Sequence, residues 1–315
     1  MAEDGRVEVP TRTLVEGMVR TDGTVDAGEL YAVAGELGMT DQQVRLCIKR
    51  MAADGLLVQE GRGRRAVLRE TDRARRSAEP EVGFVRHMYA QDAGLAPWDG
   101  RWHLVAFAVP ESARAARDSL RETLVRLGGA AVQGGAYVSA NAWEPHVETE
   151  VERLGVGDCV TLLTTTDLRI AGDRDPLALA RRLWPLDDLA EGHRRLAALA
   201  ADHLARLTTG TPGATTGSAP GSAPATGAAP PTRAEQLAVA VELAAEFTRA
   251  HAPDPLLPPE LLPRPWPGTE ARALTADCWR LLRRAARQDP TPGPRFFRRY
   301  DEVMAEITGE TATTG

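Results

Sequence analysis

Apolar residues recur at Val44, Cys47, Ile48 and Met51, the i, i+3, i+4, i+7 spacing of one helix face. Thr40 and Gln43 have capping-box spacing, which starts this helix at Thr40, and Asp54-Gly55 ends it with Gly55 as the C-cap. At about 100° per residue, Gln42, Arg45, Leu46 and Lys49 fall opposite the apolar stripe, with Gln43 and Arg50 at its flanks. Upstream, residues 27–37 also read as a helix, with Leu30, Val33, Ala34 and Leu37 on one face, and Gly38-Met39 makes a short turn. Downstream, 56–58 and 66–68 read as strands around a tip of sequence Gly61-Arg-Gly-Arg-Arg65. Two helices across a short Gly turn, followed by a basic hairpin, predict a winged helix-turn-helix over 8–80.

The pattern changes after Trp98. Residues 102–109 read as a strand, 111–127 as an amphipathic helix, and 130–139 as a Gly-containing strand or hairpin. A short helix at 145–154 and a strand at 158–166 follow, which predicts a ferredoxin-like α+β unit over 97–172. Residues 173–207 form a helical connection broken near Trp184-Pro185. Residues 208–232, rich in Thr, Gly, Ser, Ala and Pro, form a flexible linker. A helical C-terminal domain is expected over 233–310, with helices at 233–251, 269–288 and 296–307 and a Pro-rich extended segment at 254–268. The fold class is α+β and multidomain.

Composition narrows the chemistry. The 315 residues are 43% hydrophobic and carry a net charge of −6, so the chain is not a general nucleic-acid coater. Yet between Thr40 and Arg76 Arg and Lys outnumber Asp and Glu ten to five, so the basic excess sits on the motif. Cys47, Cys159 and Cys278 are far apart and form no C-x-x-C, which fits a reducing cytoplasm and neither a disulfide framework nor a zinc site. The six histidines are isolated and read as exposed helical positions. No apolar run approaches a membrane span, no signal-peptide pattern opens the chain, and no phosphate loop, dinucleotide fingerprint or nucleophile elbow is present. A cytoplasmic, non-enzymatic protein without cofactor or metal is expected.

The predicted contacts are to double-stranded DNA. Arg45, Gln42 and Lys49 are expected to read base edges, supported by Thr40, Gln43 and Arg50. Arg62, Arg64 and Arg65 are expected at phosphates or the minor groove. A winged helix that binds a protein partner, without sequence-specific DNA binding, is the alternative.

The chain resembles the PaaX family of bacterial regulators of phenylacetate catabolism. The resemblance rests on Val44-Arg45 through Arg50-Met51 with Gly55-Leu56, on Gly63-Arg64, and on Trp98-Asp-Gly-Arg-Trp102 leading to Phe107-Ala-Val-Pro-Glu111. It extends to Arg117 with Leu120, to Asp254-Pro-Leu-Leu-Pro258 with Leu261-Leu-Pro263, and to Trp266-Pro-Gly268. It implies a homodimeric DNA-binding repressor released by a small-molecule effector of the acyl-CoA type. Trp98 and Trp102 could stack on such an effector, or serve as packing residues, and Arg101 and Arg117 could meet its phosphates, or serve as surface charge. The middle unit also looks similar to small ferredoxin-like nucleases that place an Asp at the end of their first strand. Ala108 stands there in this chain, so no nuclease activity is expected.

Overall fold

The computed structural model describes residues 7–77, 81–209, 231–289 and 291–296. The chain divides into two compact units. One comprises 1–86, 194–249 and 268–315, the other 87–193 and 250–267. The expected linker and the expected helix at 296–307 fall almost wholly outside the described residues.

The first unit opens with α1 (Thr11–Gly17), β1 (Thr24–Asp26), α2 (Ala27–Glu36), α3 (Asp41–Ala53), β2 (Leu57–Glu60), β3 (Val67–Glu70) and α4 (Asp72–Ser77). The Asp26 carboxylate caps α2 by accepting from the Glu29 N–H at 2.8 Å. Both α2 and α3 end on a left-handed glycine. At Gly38 the Met39 N–H reaches back to the Ala34 carbonyl, and at Gly55 the Leu56 N–H reaches the Met51 carbonyl. This closure satisfies the last carbonyls and turns the chain sharply. Gly38 therefore sets the turn between the two helices. The strands form an antiparallel sheet in the order β1-β3-β2, with Leu68 opposite Val25 on one side and Gln59 on the other.

The second unit holds the end of α5 (Glu81–Asp92), then β4 (Trp102–Phe107), α6 (Arg114–Arg126), β5 (Ala130–Gln133), β6 (Ala136–Ser139), α7 (Glu144–Leu154), β7 (Val160–Thr165) and α8 (Pro176–Leu183). Its antiparallel sheet runs β5-β6-β4-β7. That order, with α6 and α7 as crossovers, is the ferredoxin-like topology expected from the sequence. Alternation along β4 divides two cores. Val105 and Phe107 pack with Leu120, Leu124, Trp143 and Val147 of the α6–α7 side. Trp102 and Leu104 face a second layer that includes Leu179, Trp184, Leu257 and Leu261.

Between α6 and α7 the Glu150 carboxylate accepts from Arg153 at 2.6 and 2.7 Å and from Ser119 and Thr123 at 3.1 and 3.3 Å. The Arg153 hydrogen bonds, against a smaller desolvation penalty, hold its acid at about 2. A depressed folded-state value means that its stabilisation is complete above the ordinary glutamate value and is lost as pH falls toward 2. Glu150→Gln should lower stability at pH 7 by about 1 kcal/mol, since water screens the exposed arginine, and should flatten the acid limb of a melting-temperature profile.

Among the described residues three further long helices follow, α9 (Leu186–Thr209), α10 (Arg233–His251) and α11 (Pro267–Gln288). The break near Trp184-Pro185 separates α8 from α9 as expected. In the first unit Ala200 and Leu207 of α9, Leu237, Val241 and Leu243 of α10, and Cys278, Trp279 and Leu282 of α11 share one core with Leu14, Leu30, Val44, Ile48 and Leu68. Polar contacts follow the same path. Glu29 of α2 accepts from Arg20 at 3.1 Å and from Arg233 of α10 at 2.5 Å, and Arg295 binds Glu70 through both terminal nitrogens.

The expectation of exposed helical histidines fails at His193, His203 and His251, and His103 is buried in β4. His193 and His203 are 0% and 2% exposed. Each has a carboxylate partner distant in sequence, Asp254 at 2.7 Å for His193 and Glu242 at 3.1 Å for His203, and such pairing offsets the desolvation of burial.

Candidate nucleic-acid interface

Helix α3 is held from behind and open in front. Val44, Ile48 and Met51 are buried, while Gln42, Arg45, Leu46, Lys49 and Arg50 are exposed on its outer side. The capping box forms as expected. The Thr40 hydroxyl accepts from the Gln43 N–H at 3.3 Å, and the Gln43 side-chain Oε1 accepts from the Thr40 N–H at 2.7 Å. Thr40 and Gln43 are thus occupied in fixing the start of the helix. Leu46 is 48% exposed, an apolar side chain set among polar ones on the outer face.

The hairpin between β2 and β3 turns through Gly61 and Gly63, at φ +85° and +64°, with a short 3-10 turn over Gly63–Arg65. Its three arginines are all exposed but not equivalent. The Arg64 guanidinium lies 5.6 Å from the Tyr31 ring centroid, a cation–π distance, and its Nη2 is 3.4 Å from both carboxylate oxygens of Asp41. Asp41 also stands 3.7 Å from Nη2 of Arg45, one helical turn ahead. A Cβ added to Gly28 would come within 3.0 Å of the Arg64 carbonyl oxygen, so this glycine lets α2 and the hairpin approach closely. Arg64 therefore bridges hairpin, α2 and α3, whereas Arg62 and Arg65 have no such tie among the described residues.

Asp41 was not among the residues expected to matter. Its spacing of four from Arg45 was visible in the sequence. Its contact with Arg64 crosses 23 positions and needs the folded hairpin.

Of the residues considered for an effector, Trp98, Arg101 and Trp102 lie together and Arg117 stands apart. Trp102 is buried, with Trp98 edge-on at 5.5 Å and Trp184 stacked at 6.4 Å. The indole nitrogens of Trp98 and Trp184 donate to the carbonyls of Arg101 and Gly128 at 3.0 Å each. Arg101 is exposed. Arg117 lies on α6, across the sheet from the Trp102 layer, and donates to Glu111 at 2.8 Å. Among the described residues no group of three His, Cys, Asp or Glu side chains is arranged to hold a metal ion, and no helix is long and apolar enough to cross a membrane.

Three family models match the chain. They are the PaaX-like protein over residues 12–74, the PaaX protein central Cas2-like domain over 95–177, and the PaaX-like protein C-terminal domain over 223–289. No curated protein matches. A solved structure, the uncharacterized protein Rv0674 from Mycobacterium tuberculosis, is 21% identical, covering 93% of this chain and 96% of that one with a TM-score of 0.47.

Proposed function

The chain belongs to the PaaX family of transcriptional regulators, and from that premise we propose that it is a sequence-specific DNA-binding repressor, acting in the cytoplasm as a homodimer and released by a small-molecule effector of the acyl-CoA type. The observation that carries the reading is the outer face of α3. Gln42, Arg45 and Lys49 are exposed to solvent on a helix whose other face is locked into a core, beside an arginine-bearing hairpin. A rigid helix with that chemistry suits the major groove, where Arg and Lys pair with guanine and Gln with adenine. Arg62, Arg64 and Arg65 are assigned to phosphates or the minor groove. Effector action is a population shift, in which a ligand that prefers the DNA-incompetent arrangement lowers operator affinity by its differential affinity. Trp98, Arg101, Trp102 and Arg117 remain the residues proposed to be screened first for effector contact, although Trp102 already serves the core.

Fluorescence anisotropy on a duplex selected from random DNA, against a scrambled duplex over a range of salt, tests the reading. Arg45→Ala should weaken the selected duplex by about 1–3 kcal/mol and broaden the base preference at one position. Arg62→Ala should weaken both duplexes alike and reduce the salt slope by about one unit. Salt-insensitive binding, or equal affinity for both duplexes in the wild-type chain, would point instead to a protein partner for the winged helix.

A further inference from the structure

We propose that Asp41 is a specificity-determining positioning residue, which holds Arg45 for base reading and Arg64 of the hairpin for the minor groove, and penalises the use of both on phosphates alone. The inference rests on the DNA-regulator reading and adds to it a residue of the opposite charge.

A carboxylate inside a surface meant for DNA is repelled by every phosphate that approaches. Here it also draws together the two arginines that come from different elements. Nη2 of Arg64 lies 3.4 Å from the carboxylate and Nη2 of Arg45 lies 3.7 Å from it. Each guanidinium has five N–H donors in a planar fork, so a contact through Nη2 leaves the others for a second acceptor. Tyr31, below the Arg64 guanidinium, limits where that side chain can turn. The side chains of Arg45, Arg64 and Asp41 are 68%, 64% and 46% exposed, so these pairs are breakable contacts and not part of the packed core.

Two binding modes then treat Asp41 differently. Against base edges, Arg45 can offer its remaining donors while the carboxylate steadies the fork. Against a non-specific duplex, both arginines turn toward phosphates, the ion pairs break, and the carboxylate is left beside the DNA backbone. Removing Asp41 therefore favours the second mode more than the first. Specificity is a difference between two affinities, and an element that weakens only the wrong complex raises it.

The test uses the full chain as wild type, Asp41→Asn and Asp41→Glu, on a duplex selected by the wild type and on a scrambled duplex, over several salt concentrations. Asp41→Asn should tighten scrambled binding about three- to tenfold, the range expected for releasing two exposed ion pairs, while selected binding moves by no more than about twofold. Its salt slope on scrambled DNA should steepen, and the base preference at the Arg45 position should broaden. Asp41→Glu, which keeps the charge, should hold the ratio of affinities nearer to wild type. A purely structural role would not produce this pattern, because loss of folded protein weakens both duplexes together. Equal changes on both duplexes, or an unchanged ratio, would overturn the role of Asp41 and leave the regulator reading intact. If the wild-type chain itself does not discriminate between duplexes, the regulator reading fails and the Asp41 role with it.

Discussion

Asp254→Ala is expected to unfold the second unit under conditions in which the wild-type chain is folded, with a loss of about 3–5 kcal/mol. The side chain is 6% exposed. Its Oδ2 accepts from His193 Nε2 at 2.7 Å, and its Oδ1 accepts from the Leu256 N–H at 2.8 Å. The second bond fixes the chain just where Leu256 adopts a left-handed φ of +51°, a conformation that a leucine enters only when its surroundings require it. The Leu256 carbonyl in turn accepts from Gln91 and Asn141, both at 2.9 Å. Removing the carboxylate leaves a fully buried histidine without its partner and releases the strained residue together. Hydrogen exchange at β4–β7 amides checks this, since it reports on this unit separately from the other. Full protection of β4 in Asp254→Ala would refute it. The pH dependence has a definite sign. Burial opposes ionisation of Asp254, but the hydrogen bond and charge of His193, with the Leu256 N–H, outweigh it and place the acid below the usual aspartate value. Its stabilisation is therefore full above the unfolded aspartate value and is lost as pH falls through the lower, folded one. Asp254→Asn should weaken that acid dependence.

Gly128→Ala is expected to destabilise the same unit by about 2–4 kcal/mol, from strain and collision together. Gly128 has φ +82°, and an added Cβ would lie 2.7 Å from the carbonyl oxygen and 2.9 Å from the Cα of Pro255. Both atoms are backbone, in the segment that Asp254 anchors, so they cannot swing aside. Gly155 is the control. It also has a positive φ, +65°, but nothing lies within 4 Å of its added Cβ. Gly155→Ala should thus show the conformational term alone, about 1 kcal/mol. Denaturant midpoints followed by β4–β7 exchange compare the two. Equal losses would mean that Pro255 yields and that the close approach contributes nothing.

The parts of this fold that were legible in the sequence are those set by neighbours. The bounds of α3 are written in Thr40, Gln43 and Gly55, all of which act within one turn. The break between α8 and α9 was legible because a proline at 185 cannot continue a helix. The strand at 102–107 was legible as an apolar run, but its division between two cores shows only in the folded sheet. The three-residue β1 was too short to carry a pattern, and its place depends on pairing with β3 more than forty positions later. Helix α5 has no strong apolar stripe, and one of its anchors is the Gln91 contact with Leu256, 165 residues away. The candidate interface divides in the same way. The exposed face of α3 follows from helical periodicity. The distinction of Arg64 from Arg62 and Arg65 does not, because it is made by Tyr31 and Asp41 through the folded hairpin. The buried histidines escaped for the same reason, since a lone histidine in a helix gives no sign of a carboxylate partner 61 positions on.

The core that α3 shares with α9, α10 and α11 changes what counts as the inheritance of DNA recognition in this chain. The side chains that would meet a base lie within a dozen positions, but those that hold them in place extend from Leu14 to Leu282. Residues 8–80, cut out as a reading head, would lose the part of their core supplied by Ala200, Leu237, Val241, Cys278 and Leu282, and would lose the Arg233 clamp on Glu29. The helix proposed to touch the groove is therefore held in place by the whole unit, the far helices included.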